Sequence, residues 1–211
     1  MYTLYGFAKT RSVRVAWALE ELGLPYDYTF INLRKGEHKS ADFLALNPAG
    51  KIPALMTDCG PMSESAAIVT WLMDKHGYEE FMPVLGSKAR MLYEQAMAFV
   101  ITELEQPLWN MAKHDFALPE AQRLEGMKDV SIYEFGVALK GFSALLGDQD
   151  FLTGHMFSGV DIVAGHVLSW AKGSGMDLTF DNVKQYAERV LSRPAYEKAW
   201  RNEKAHMPAS L

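Results

Sequence analysis

Asn47-Pro48-Ala49-Gly50-Lys51-Ile52-Pro53-Ala54-Leu55, followed by Ser63-Glu64-Ser65-Ala66-Ala67-Ile68, is the stretch from which the rest of the chain can be read. Its first half is a Pro/Gly turn entering a short apolar strand, expected over Ile52 to Thr57. Its second half starts a helix, with Ser63 as the expected N-cap ahead of an apolar run, Ala66, Ala67, Ile68, Val69, Trp71 and Leu72. Pro53 has no N–H to give to a ladder, so it marks an edge or a bend. The Ile52–Pro53 bond is a candidate cis bond that would turn the Ile52 backbone outward. There its N–H and C=O would meet a peptide-like ligand as a strand does. The free N–H groups of the next helix, with the Ser65 hydroxyl, suit a carboxylate, and Glu64 suits an ammonium group. The same residues also read as a turn, an edge strand and a capped helix without a ligand. That reading accounts for the Pro and Gly but not for Glu64-Ser65 beside them.

Working outward, Tyr2 to Tyr5 is a short strand and Gly6 to Lys9 a turn. A helix runs from about Arg11 to Leu22 and stops at Gly23 with Pro25 beyond. That helix is apolar nearly all round (Val13, Val15, Ala16, Trp17, Ala18, Leu19, Leu22), which requires burial on more than one side, against the sheet and a second domain. Arg14 reads as a helix-surface charge. Tyr26 to Leu33 is a second strand and Ala41 to Leu46 a short helix. With a tight turn at Asp58 to Pro61 the order becomes βαβ followed by ββα, the thioredoxin-like arrangement, with a parallel first pair. Redox members of that fold carry Cys-x-x-Cys where this chain has Lys9-Thr10-Arg11-Ser12, so dithiol chemistry is excluded.

Gly77 to Gly86 lacks helical periodicity and reads as a linker packed down by Phe81, Met82 and Val84. Beyond it the pattern is helical throughout: Ser87 to Lys113 with a kink at Pro107, Pro119 to Leu146, Ser158 to Lys172, Phe180 to Leu191 and Pro194 to Lys204. Ser158 and Asp161 form a capping-box pair, with Phe157 and Ile162 as a hydrophobic staple. The expected organisation is an α/β thioredoxin-like domain over 1–78, a linker over 79–86 and an all-α domain over 87–211.

At 211 residues and 49% hydrophobic, the chain can bury a core without cross-links. Its one cysteine, Cys59, cannot pair internally, which points to a reducing, cytoplasmic setting. Met1 to Gly6 does not read as a signal peptide, and no apolar run is long enough to span a membrane. A net charge of −5 gives no field to attract nucleic acid. The six histidines are scattered, with no His-x3-His and no Cys-x2-Cys pair, so no metal site is expected.

Asn-Pro-x-Gly-Lys-Ile-Pro-x-Leu followed by Glu-Ser-x-Ala-Ile resembles the glutathione-site signature of the cytosolic glutathione S-transferase family. The Ser158–Asp161 motif is similar to the one that caps the family's central helix, so the resemblance spans essentially the whole chain. It implies the glutathione S-transferase fold, glutathione as co-substrate, an apolar electrophile, a role in detoxification and a homodimer. It also implies that His38, Lys51, Ile52 (through its backbone), Pro53, Glu64 and Ser65 hold glutathione, with His38 and Lys51 on its glycine carboxylate. The alternatives on this scaffold are glutathione-dependent isomerases, dehalogenases and ether-cleaving enzymes, and non-catalytic binding proteins.

The family's reaction is attack by the glutathione thiolate. Lowering a thiol pKa from about 8.5 by two units takes about 2.7 kcal/mol of anion stabilisation. One charge-assisted hydrogen bond at a helix start supplies that order of energy, so the donor belongs at the first turn. Three hydroxyls lie there: Tyr5, Thr10 and Ser12. Leu4-Tyr5-x4-Thr10-x3-Arg14 is similar to the theta- and delta-class pattern Leu-Tyr-x4-Ser-x3-Arg, with threonine for the catalytic serine. The resemblance thus points to Thr10, with Ser12 close to the same helix start and Tyr5 third. The electrophile pocket is expected between the first-domain turn and the first helices of the second domain, with Phe7, Trp109, Met111, His114 and Phe116 as possible walls.

Overall fold

The computed structural model describes residues 1–208. By their internal contacts these fall into two compact units, one of residues 1–82 together with the chain from Ser192 onward, the other Pro83–Leu191.

The first unit holds a four-stranded sheet in the order β2-β1-β3-β4, with β1 at Tyr2–Gly6, β2 at Tyr26–Phe30, β3 at Ala54–Thr57 and β4 at Gly60–Ser63. β1 pairs parallel to β2 and antiparallel to β3, and β3 pairs antiparallel to β4. Helix α1 (Ser12–Glu21) joins the parallel pair, α2 (Ala41–Leu46) precedes β3, and α3 (Ser65–His76) follows β4. Pro53 lies just outside the ladder, so β3 begins two residues later than its apolar run suggests. The expected tight turn over 58–61 narrows to Asp58 and Cys59, because Gly60 and Pro61 already pair with Thr57 and Met56. Ser63 is likewise no N-cap. It pairs with Ala54, and Glu64, with φ 68°, makes the bend into α3.

Ser12 to Leu19 are all buried, so α1 is covered on every side as its composition requires. The cover on its second side is the last helix, α9 (Pro194–Ala205). The α1–α9 seam is specific. Trp17 packs on Tyr196 with ring centroids 4.6 Å apart. Arg193 makes a two-pronged pair to Glu21 at 2.6 and 2.7 Å, and Lys198 Nζ reaches Glu20 at 2.6 Å. Asn202 donates to the Tyr26 hydroxyl, and the Tyr28 hydroxyl donates to Glu203. The division expected at 87–211 therefore runs together two parts that the contacts separate at Leu191.

The second unit comprises α4 (Lys88–Phe99), α5 (Glu105–Ala112), α6 (Met127–Leu146), α7 (Gly159–Gly173) and α8 (Asp181–Leu191). The long helix expected from Ser87 to Lys113 is interrupted by a π-helical turn at Val100–Leu104, directly ahead of the Pro107 that cannot donate. The next helix starts at Met127 rather than Pro119, since Gly126 takes a left-handed conformation (φ 80°). α7 is the unit's core. Its Asp161 carboxylate is fully buried and accepts from Leu152 N–H (3.0 Å), Ser158 N–H (2.9 Å), Ser158 Oγ (3.0 Å) and Tyr186 OH (2.8 Å). No described helix is long and apolar enough to cross a membrane.

Candidate functional site

Two corners of the first unit carry the expected residues. The first is the turn Phe7–Arg11 between β1 and α1. Thr10 Oγ1 donates to the Phe7 carbonyl (2.7 Å) and accepts from Ser12 N–H (3.3 Å), which ties the turn to the first residue of α1, with Arg11 at the N-cap position. Ser12 Oγ donates to the same carbonyl (2.9 Å), accepts from Phe7 N–H (3.3 Å) and lies 3.0 Å from the Thr10 hydroxyl. The two hydroxyls differ in access: Thr10 is half-buried, whereas Ser12 is 0% exposed. Gly6 makes this packing possible. A Cβ there would stand 2.6 Å from Ser12 Cβ and 2.8 Å from the Tyr28 hydroxyl. Tyr5 is taken up elsewhere, packed edge-on to Phe43 in a cluster with Ile31 and Ala54.

The second corner is the loop that leads into β3. Asn47 organises it from a buried position. Its Nδ2 donates to Lys51 O (2.6 Å), its Oδ1 accepts from Ala49 N–H (3.1 Å), and its carbonyl accepts from Gly50 N–H (2.9 Å). The Ile52–Pro53 bond is cis, and Ile52 lies outside the ladder that begins at Ala54. Gly50 is left-handed (φ 59°), and a Cβ on it would come within 3.1 Å of the His38 carbonyl, so this turn lies against His38. Lys51 is exposed. His38 Nδ1 is buried with no hydrogen-bond partner among the described residues. Burial, with Lys39 close by, holds the His38 imidazole below its ordinary value.

At the head of α3, Glu64 is exposed and Ser65 is buried. The first N–H groups of α3 have no acceptor within the helix, and Ser65 Oγ accepts from Arg14 Nη1 at 3.2 Å. Arg14 corrects its sequence reading. It is 0% exposed, lying inside the unit beneath Ser65 rather than on the helix surface. Its place four residues after Thr10 in the matched pattern was the available signal. Glu203, at the buried end of α9 beside Tyr28, is the other residue the sequence reading missed. Nothing in its Glu/Lys-rich surroundings marks it out. No group of three or more His, Cys, Asp or Glu side chains that could hold a metal ion lies together among the described residues.

A βαβ-ββα sheet domain with a half-buried hydroxyl at the α1 start, a cis-Pro loop and a Glu-Ser helix head, followed by a helical unit, defines the class of glutathione-binding transferase folds. The family described as "Glutathione S-transferase, N-terminal domain" matches residues 10–75, and "Glutathione S-transferase, C-terminal domain" matches residues 105–194. Glutathione S-transferase 3 of Zea mays is 31% identical over 214 aligned residues, covering 92% of this chain and 91% of its own length. A maleylacetoacetate isomerase of Pseudomonas aeruginosa is 27% identical over 100% of this chain and 99% of its own length. Glutathione transferase URE2P6 of Phanerochaete chrysosporium, solved with oxidized glutathione, superposes with a TM-score of 0.82 at 25% identity, over 97% of this chain and 96% of that one. The chain belongs to the glutathione S-transferase family.

Proposed function

We propose that this glutathione S-transferase is of the theta/delta-like type and uses Thr10 to hold the glutathione sulfur as a thiolate. The observation that carries this reading is the difference in access at the α1 start: Thr10 is half-buried, whereas Ser12 is fully buried. In this reading the Ile52 N–H and C=O take the backbone of the tripeptide. Pro53 fixes that loop, and Glu64 and Ser65 take its ammonium and carboxylate ends. His38 and Lys51 take its glycine carboxylate. Arg14 adds a buried positive charge behind Ser65. Thr10 donates its hydroxyl proton to the sulfur in a hydrogen bond, and the thiolate attacks an apolar electrophile without a covalent enzyme intermediate.

The test is a pH titration of the thiolate ultraviolet absorbance with protein in excess over glutathione. Thiolate should appear well below the free thiol's value of about 8.5. Thr10→Ser should keep the effect and Thr10→Ala abolish it. A Thr10→Ala protein that still forms thiolate at neutral pH overturns the assignment.

Met111, His114 and Phe116, expected as electrophile walls, line one open cleft of about 440 Å³ with Asp115, Lys128 and Trp170, whose walls mix charged and apolar groups. A homodimer is supported by α6, which leaves Val130, Tyr133 and Val137 exposed at helical spacing. Cys59 is exposed and free, which suits a reducing setting such as the cytoplasm. A second reading, a glutathione-dependent isomerase, is favoured by the full-length match to the Pseudomonas isomerase. Parallel assays with an aryl halide and with a cis-dienoate ester or acid separate the two.

A further inference from the structure

β2 carries a row of three aromatic side chains on one face. Tyr26, Tyr28 and Phe30 alternate along the strand, so they share one side of the sheet. The first two are engaged by the C-terminal segment. The Tyr26 hydroxyl accepts from Asn202, the Tyr28 hydroxyl donates to Glu203, and the Tyr28 ring lies 5.1 Å from that of His206. α9 itself ends at Ala205. The third ring, Phe30, pairs instead with the turn that leads into α1. It lies 5.4 Å from the Phe7 ring at an angle of 32°, and both residues are half-buried.

The pair is fixed in place. Gly6 and Phe30 are register partners in the β1–β2 ladder, so Phe30 sits across from the residue that precedes Phe7. Phe7 N–H donates to Ser12 Oγ (3.3 Å), and Phe7 O accepts from the hydroxyls of Ser12 (2.9 Å) and Thr10 (2.7 Å). The Phe7 backbone is thereby tied to the same residue that is proposed to hold the sulfur.

Two phenyl rings that stay half-buried keep apolar surface in water, and a ligand ring laid against them removes it. A third aromatic ring gains more than burial, because ring faces and ring edges carry opposite partial charge and attract in tilted and edge-on contacts. A saturated ring of the same skeleton gains the burial alone.

We propose that Phe7 and Phe30 form an acceptor platform in the first unit, and that Phe30 selects acceptors with an aromatic ring on the carbon that the glutathione sulfur attacks. The proposal rests on the Thr10 reading given above, which puts the sulfur at this turn. A phenylalanine that only filled the end of the sheet would be indifferent to what the sulfur carries.

S-benzylglutathione and S-(cyclohexylmethyl)glutathione stand for the products of the two acceptor classes. They share the tripeptide and the carbon skeleton of the substituent and differ in aromaticity. The ratio of their dissociation constants, measured by calorimetry, therefore isolates the ring contact. Phe30→Leu should lower the preference for the benzyl compound at least about threefold from its wild-type value, the order of one aromatic pair. Phe30→Met, closer in volume, should do the same if leucine unsettles the sheet end. Phe30→Tyr keeps the ring and should hold the preference within about twofold of wild type. Thiolate formation by Phe30→Leu, in the absorbance titration, should match wild type, because the hydrogen bonds that hold the Thr10 turn do not involve the Phe30 ring.

An unchanged ratio in both ring-less variants, an equal weakening of the two compounds, loss of the preference in Phe30→Tyr, or loss of thiolate formation in both ring-less variants overturns the proposal. A wild type that forms thiolate yet binds neither compound overturns this proposal alone. If the wild type binds neither compound and forms no thiolate, the glutathione reading itself fails and takes this one with it.

Discussion

Ser65 meets two demands at once. Its N–H opens α3, where the proposed site would hold a ligand carboxylate, and its hydroxyl takes a hydrogen bond from buried Arg14. Ser65→Ala removes the polar group from one side and an Arg14 acceptor from the other. Glutathione affinity measured by calorimetry should drop at least tenfold, about 1.4 kcal/mol. Gly6 is a second single-atom constraint. A Cβ 2.6 Å from Ser12 Cβ cannot be absorbed by rotating a side chain, because Ser12 is itself packed on all sides. Gly6→Ala should therefore displace the Thr10 turn and cost thiolate formation more than overall stability, as read by the absorbance titration beside a denaturation curve. The loop into β3 was legible at this scale, down to its cis Ile52–Pro53 bond, because its Pro/Gly signals are local in sequence. Arg14 and Glu203 were not, because a charge on a helix looks solvated until the partner that buries it is known. For Arg14 that partner is Ser65, 51 residues on. For Glu203 it is Tyr28, 175 residues back.

Among the elements, α7 shows what a buried carboxylate does when every lone pair is used. Four donors from Leu152, Ser158 and Tyr186 converge on Asp161 and tie the preceding loop and α8 to the helix start. Asp161→Ala should cost about 3–5 kcal/mol, since it strands those donors inside the unit. Tyr186→Phe should cost about 1 kcal/mol. Urea denaturation of both checks the ranking. This motif was readable from Ser158 and Asp161 alone, because a capping box is local. The errors were at boundaries set by distant pairing. Ser63 has the chemistry of an N-cap, but the β3–β4 register takes it, and a left-handed Glu64 does the turning. Pro119 to Gly126 has helix-forming residues, but left-handed Gly126 ends that stretch one residue before α6.

For the whole molecule, the decisive feature is that α9 returns to the first unit. The apolar circumference of α1 was legible and correctly demanded a second covering surface. Its identity was not, because α9 is polar on average and its buried contacts with α1 and β2 come from a few residues, Tyr196 and Glu203 among them. The buried Glu203 also sets a pH dependence for the protein as a whole. The unfolded chain releases that proton in the ordinary carboxylate range, whereas the folded chain holds it up to about 8. Stability contributed by this group therefore declines as pH rises from about 4.5 to about 8 and is level above that. Glu203→Gln should remove that part of the slope, seen as a smaller difference in melting temperature between acid and alkaline buffer than in the wild type.

The return of α9 also bears on how the protein is made. A ribosome completes the sheet and α1 early, then spends on the order of ten seconds on Pro83–Leu191 before the strip that seals Trp17 emerges. During that interval the nascent first unit presents an open apolar flank, a natural landing place for a chaperone.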